Sequence, residues 1–160
     1  MRWLWIDKFV EFTPGTSATA VKAVSLAEEH LHDLYPGFPI VPHSLIVEGF
    51  AQTAGILVGE ARDFKEKVVL AKIGRATFSR LTRPGDMLRF TANIEQLTEQ
   101  GASVAGRVEC DGETVAEIDM MFSHIDQNMQ GIAFPEHNFV FGPQFVDLLR
   151  TFRDDKPVRL

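Results

Sequence analysis

The sequence predicts an α+β domain, an antiparallel sheet wrapped around one long central helix, and three observations lead there. Two strand-like stretches open the chain, and a helix that is apolar on nearly every side follows three closely spaced prolines. Four more strand-like runs, separated by Gly-containing turns, come after it. A helix apolar all round is a buried helix.

Taken in order, residues 4–12 and 18–25 carry β-branched and apolar side chains on either side of "TPGT", a turn signal, and read as two strands. "LAEEHLHDL" is a short helical stretch. Pro36, Pro39 and Pro42 then forbid regular helix, because each lacks an amide donor and drives the residue before it toward extended geometry. The central helix therefore begins after them, at Ser44, and runs to about Ala61 with Ile46, Phe50, Ala54, Leu57, Val58 and Ala61 at helical spacing. Strands are expected over 67–80, 86–98, 102–111 and 113–123, with "RPGD", "EQG" and "CDGE" between them. Asp111-Gly112 is a hairpin signal, since Gly accepts a positive φ. Past Ser123 the pattern changes. Residues 1–125 are expected to form the main domain. Residues 126–160 are expected to form a C-terminal extension, a loop and then a short amphipathic helix with Phe145, Leu148, Leu149 and Phe152 on one side, packed on its own domain or on a sister subunit.

Composition bounds the function. The chain has 160 residues, 45% of them hydrophobic, which suits one core better than two. A formal charge of −6 argues against general nucleic-acid binding, which needs a basic surface to displace counterions. Cys110 is the only cysteine, so there is neither a disulfide framework nor a zinc-ligand cluster, and a reducing cytoplasm is the expected location. Asp7, Lys8 and Glu11 interrupt the apolar N-terminus too early for a signal-peptide core or a membrane span.

The stretch "YPGFPIVPHSLIVEGFAQTAG" carries the chemistry. Glu48 lies in the middle of the apolar helix, and burying an ionised carboxylate without partners is costly, so this one is expected to be paired or to hold a proton. A carboxyl that can hold a proton can serve as a general acid. The structural alternative is a simple hydrogen bond to backbone or to Gln52, one turn later on the same face. With its prolines and the later "RPGD", residues 5–124 resemble the β-hydroxyacyl-acyl carrier protein dehydratases, which have the hot-dog fold. Tyr35, Pro36, Gly37, Pro39, Pro42, Glu48, Ala51 and Gln52 stand in register with that family's motif. The resemblance implies that Glu48 is the acid and that Leu34, Tyr35, Gly37, Pro42 and Gln52 line the substrate site.

It also implies a base that is missing. The family has a His fourteen residues before its acid, and here that place is held by Leu34, which carries no proton. His43 stands where the family has Gly, at the start of the helix whose first amide polarises the substrate carbonyl. The amide survives the substitution, and His43 is as well read as a structural helix-start residue as a relocated base. His30 and His32 read as exposed residues of a short helix, while His124 and His137 have no local argument for a role.

By the same resemblance the chain is expected to be a homodimer with its tunnel at the subunit interface, and three-dimer assemblies occur in the family. The substrate would be an acyl thioester of acyl carrier protein or coenzyme A, with no metal or organic cofactor. An acidic carrier needs a basic landing site, and the basic stretch 62–89 offers Arg75, Arg80 and Arg83. Three functions stay open: a 3-hydroxyacyl-thioester dehydratase using Glu48 with His43 as base, a thioesterase using Glu48 alone, and a non-catalytic acyl-binding or partner subunit.

Overall fold

The computed structural model describes residues 4–125, 140 and 142–153. The chain runs β1 (Lys8–Thr13), β2 (Ser17–Ala23), α1 (His30–Asp33), α2 (His43–Glu60), β3 (Val68–Phe78), β4 (Met87–Leu97), β5 (Gly101–Cys110), β6 (Glu113–His124) and α3 (Pro143–Arg153). All six strands form one antiparallel sheet in the order β1-β2-β4-β5-β6-β3. After β2 the chain crosses one face of that sheet as α2 and re-enters at the opposite edge as β3. This is the expected hot-dog arrangement.

Pro-Gly pairs make the corners. In "TPGT", "YPGF" and "RPGD" the glycine is positive in φ (66°, 76° and 98°). The fourth residue's amide returns to the first residue's carbonyl at 3.0, 2.9 and 3.0 Å. Proline at the second position and glycine at the third is the chemistry of a type II turn. Asp111 and Gly112, both positive in φ, close the tight β5–β6 hairpin.

The core is α2 laid on the sheet. Phe50 is fully buried, and its ring covers Gly106 of β5 so closely that a Cβ there would stand 2.7 Å from the ring and collide with the Thr91 carbonyl oxygen. Burying such a side chain is worth roughly 1.5–3 kcal/mol. Gly49 does the same for the helix, since a Cβ on it would meet the Phe90 ring at 2.6 Å. α3 lies against β1 and puts Leu149 into the core, with Phe145, Leu148 and Phe152 packed beside it. The expected loop over 126–139 lies outside the described residues. "LAEEHLHDL" is helical only at its end. The turn before α1 is held by side chains instead, with Glu28 accepting from the Ser25 amide at 2.9 Å and pairing with Lys22 at 3.1 Å. No helix among the described residues is long and apolar enough to cross a membrane.

Candidate functional site

Two Pro-Gly turns bring the proline-rich motif to its place. Tyr35–Phe38 and Arg83–Asp86 are adjacent, because the Val41 amide donates to the Thr82 carbonyl at 3.0 Å and Arg83 lies over the Phe38 ring at 5.0 Å. Asp86 holds the second turn by accepting from the Arg83 amide at 3.0 Å and from Arg80 at 2.9 Å. Burial alone would raise the Asp86 carboxyl, but those donors bring it below its ordinary value, and Arg80 is raised in turn, first by its hydrogen bond to Asp86. Pro42 ends the extended run and caps α2, its carbonyl accepting from the Leu45 and Ile46 amides at 2.9 and 3.3 Å. The His43 and Ser44 amides are then the helix's first donors.

Along α2, Glu48, Ala51, Gln52, Gly55 and Ile56 recur at the spacing of one helical face, and that face lines a cavity of about 240 Å³. Val68, Leu70 and Phe122 of β3 and β6 form the opposite wall, with Val140 and Phe145 from the C-terminal segment. The small residues Ala51 and Gly55 leave the room. Glu48 itself is exposed in the single chain, which corrects the expectation of a buried carboxylate: the helix is apolar around it, but the sheet does not cover this rim. Gln52 Nε2 donates to Glu48 Oε1 at 2.8 Å, and Gln52 Oε1 accepts from the buried Trp5 amide at 2.8 Å.

The other candidates separate. His43 is five residues from Glu48, about 140° around the helix, and its ring stacks on Phe78 at 4.0 Å and 4° rather than lining the cavity. One chain therefore does not bring His43 and Glu48 together. Leu34 and Tyr35 are exposed beside the first turn, Leu34 at 52%, and Gly37 serves that turn through its φ. Arg75 binds Asp119 at 2.8 Å and reaches Glu117 at 3.9 Å, while Arg80 is held by Asp86, so two of the three arginines proposed for docking are already paired. His30 is partly buried, contrary to the exposed reading, edge-on to Trp5 at 5.0 Å. Burial pushes its pKa down, Glu28 pulls it back up and Lys22 lowers it further.

His124 is buried and pairs with Glu66 at 2.8 Å across the base of β3 and β6, far along the sequence from any motif. Asp86, Cys110 and Asp111 cluster within 4.8 Å. Asp86 is committed to Arg80 and the turn, and burial pushes the Cys110 thiol up, so this trio is a poor ligand set for a cation. The cavity wall from Val140 and Phe145 and the anchoring Trp5 amide had no signal in the sequence beyond the apolar stripe of α3.

A model of the FabA-like domain matches residues 2–119. This chain belongs to that family. A 3-hydroxyacyl-[acyl-carrier-protein] dehydratase FabZ of Roseobacter denitrificans is 37% identical over 129 residues, covering 74% of this chain and 85% of the relative. Among solved structures, the dehydratase heterocomplex ApeI:P from Xenorhabdus doucetiae superposes with a TM-score of 0.65 at 15% identity, over 78% of this chain and 84% of that one. A thioesterase from Haemophilus influenzae superposes with a TM-score of 0.60 at 13% identity, over 76% and 80%. These likenesses establish the hot-dog fold. Because a dehydratase and a thioesterase share it, the chemistry of this FabA-like chain has to be argued from Glu48 and its surroundings.

Proposed function

We propose that this FabA-like protein dehydrates 3-hydroxyacyl thioesters, with Glu48 as the reacting carboxylate. The supporting observation is the placement of Glu48 at the rim of an apolar cavity, with one of its oxygens engaged by Gln52 and the other available to substrate. Leu34, at the family's His position, takes no proton, and His43 faces Phe78. Glu48 then serves as both base and acid. The carboxylate takes the proton from the carbon next to the thioester carbonyl, the C3–O bond breaks, and the same proton passes to the departing hydroxyl, which leaves as water. The carboxylate is regenerated. In this reading the first amides of α2 would stabilise the enolate charge that develops on the carbonyl oxygen, because a helix N-terminus favours negative charge.

A homodimer completes this reading. β3 is a long edge strand with Leu70 and Ile73 exposed, and Leu34, Tyr35 and Phe38 are exposed large side chains beside the motif. Open apolar edges call for a covering partner. The carrier, acyl carrier protein or coenzyme A, would meet the surface at Arg83, which rests on Phe38 and pairs with no carboxylate among the described residues. Leu34 also favours a second reading, hydrolysis of the thioester by a water that Glu48 activates.

One experiment separates these. The protein is incubated with 3-hydroxyacyl, enoyl and saturated acyl thioesters, and enoyl product and free thiol are followed independently. Enoyl product supports dehydration and free thiol supports hydrolysis. Binding with neither product would show an acyl-binding subunit and end the catalytic proposal.

A further inference from the structure

We infer that the C-terminal segment walls off the end of the Glu48 cavity remote from the carboxylate, and that Phe145 thereby sets the acyl chain length this protein accepts, limiting it to short and medium chains. The inference rests on reading the cavity as an acyl site, but not on turnover.

The cavity face of α2 runs from Glu48 to Ile56, about 12 Å at the helical rise. Glu48 marks one end. α3 sits at the other, because Val146 and Leu149 border a second hollow with Glu60 and Phe64, at and just beyond the C-terminus of α2. Phe145 lies on the same α3 face as Leu149, one turn earlier, and reaches the cavity beside Val68 and Phe122. Both Phe145 and Val140 lie beyond the 2–119 stretch matched by the family model. It is seated rather than loose. Leu149 is 2% exposed, and the Phe145 amide donates to the Gly142 carbonyl at 3.0 Å.

Size gives the limit. An extended chain advances about 1.2 Å per bond, as three backbone bonds span at most ~3.6 Å, so the half-open face of about 12 Å between Glu48 and Ile56 takes a chain of roughly ten carbons. A longer chain has to displace the Phe145 ring or leave its end in water, and both oppose binding.

The test titrates the full-length protein with non-reacting acyl-pantetheine thioethers of increasing length and reads the dissociation constant. For the wild type, affinity should rise with each added pair of carbons up to about ten and then stop rising or fall. Phe145→Ala should move that break longer by about two carbons or more, since removing a ring opens space that the surroundings only partly refill. Phe145→Leu keeps an apolar contact that holds α3 in place and should move the break in the same direction by less; it carries the test if the Ala variant does not fold. Gly55→Ala should move the break shorter, because its methyl enters the cavity at 3.6 Å from the Phe122 ring without a clash. An unchanged break in the folded Phe145 variants overturns the inference, as does a wild type that binds no thioether at any length. If the break shifts as expected but no enoyl product forms from 3-hydroxyacyl substrates, the dehydratase reading fails and the length limit stands.

Discussion

Gln52 Nε2 donates to Glu48 Oε1 at 2.8 Å, and the direction of that bond is set from the far side of the amide. The buried Trp5 N–H can only donate, so the Gln52 oxygen must face it at 2.8 Å and the Gln52 NH₂ must face Glu48. One carboxylate oxygen is therefore held as an acceptor. Oε2 is then the oxygen we assign to the proton that Glu48 gains or gives in the proposed reaction. Glu48→Gln preserves this hydrogen-bonded chain and removes the proton carrier. It should lower turnover of the acyl-thioester substrate by about 10²–10⁴-fold with the melting temperature unchanged. Activity within a few-fold of wild type would make Glu48 structural.

Gln52 positions that carboxylate, and two variants separate positioning from mere stability. Gln52→Leu strips the Trp5 amide of its acceptor and should cost about 1–3 kcal/mol in unfolding free energy. Gln52→Glu keeps an acceptor for Trp5 but sets a second carboxylate against Glu48, and like charges raise the pKa of one of the pair. The acid limb of the pH–rate profile should move to higher pH in that variant. A profile that falls in height but keeps its shape would mean Gln52 only supports the fold.

Much of the fold was readable because its signals are local. The Pro-Gly turns of "TPGT" and "RPGD" and the Asp-Gly hairpin sit where proline and glycine chemistry puts them, whereas the "YPGF" turn was not foreseen; most strand and helix limits fall within a few residues of those expected, β1 starting at Lys8 rather than at residue 4. The sheet order was not readable, since nothing in β3 itself says that it joins the far edge beside β6. The same holds for Arg75, whose partner Asp119 is 44 residues away, and for Trp5, 47 residues from Gln52. Periodicity showed α2 to be apolar all round, but apolar neighbours on a helix do not reveal that the sheet stops short of Glu48. Its exposure came from tertiary structure alone.

His30 carries a pH signature. Burial against Trp5 holds its pKa below the ordinary 6.5, with Glu28 at 3.9 Å opposing and Lys22 reinforcing the shift. The unfolded chain then binds more protons than the folded one in the window just below pH 6.5, so stability is full above it and declines as pH falls through it. Thermal melts between pH 7.5 and about 5 should show this decline in wild type and a shallower one in His30→Phe. Parallel curves would remove His30 as the source. Asp86 has a linkage of the same sign, since its pKa is also lowered: its carboxyl contributes stability that is full above the ordinary 3.8 and is lost as pH falls further through the folded value, so its effect lies in a separate, more acidic window.

Gly106→Ala tests the closest approach between α2 and the sheet. The new methyl would press on the Thr91 carbonyl and stand 2.7 Å from the Phe50 ring, both in the packed interior. Overpacking of this kind typically costs about 1–3 kcal/mol, or a fall of roughly 3–10 °C in melting temperature for a chain this size. Gly55→Ala is the contrast, since its methyl meets only ordinary contact and a helix gains about 0.5–1 kcal/mol from losing a glycine. Equal melting temperatures for the two variants would mean that Phe50 can move aside.

Leu34 decides between a dehydratase that works with one carboxylate and a scaffold that has lost its chemistry. The side chain stands at the head of the Tyr35–Phe38 turn, whose backbone is fixed by Pro36 and by Gly37 at a φ of 76°. It is 52% exposed in the single chain, so Leu34→His replaces little buried hydrocarbon and should fold as well as wild type. If the turn aims residue 34 at the substrate of its own or a partner's Glu48, an imidazole there supplies a dedicated base, and positioned acid–base catalysis contributes about 10²–10⁴-fold. Dehydration of 3-hydroxyacyl thioesters should rise accordingly, with Glu48 kept as the acid. His43→Ala is the paired variant. Because its ring stacks on Phe78, it should cost some stability and leave the rate of wild-type dehydration within a few-fold. A large loss of rate in His43→Ala would instead make His43 the base, reached across a dimer rather than within one chain. If Leu34→His folds and gives no gain, and neither protein forms enoyl product, the dehydratase reading fails, and hydrolysis or acyl binding at Glu48 replaces it.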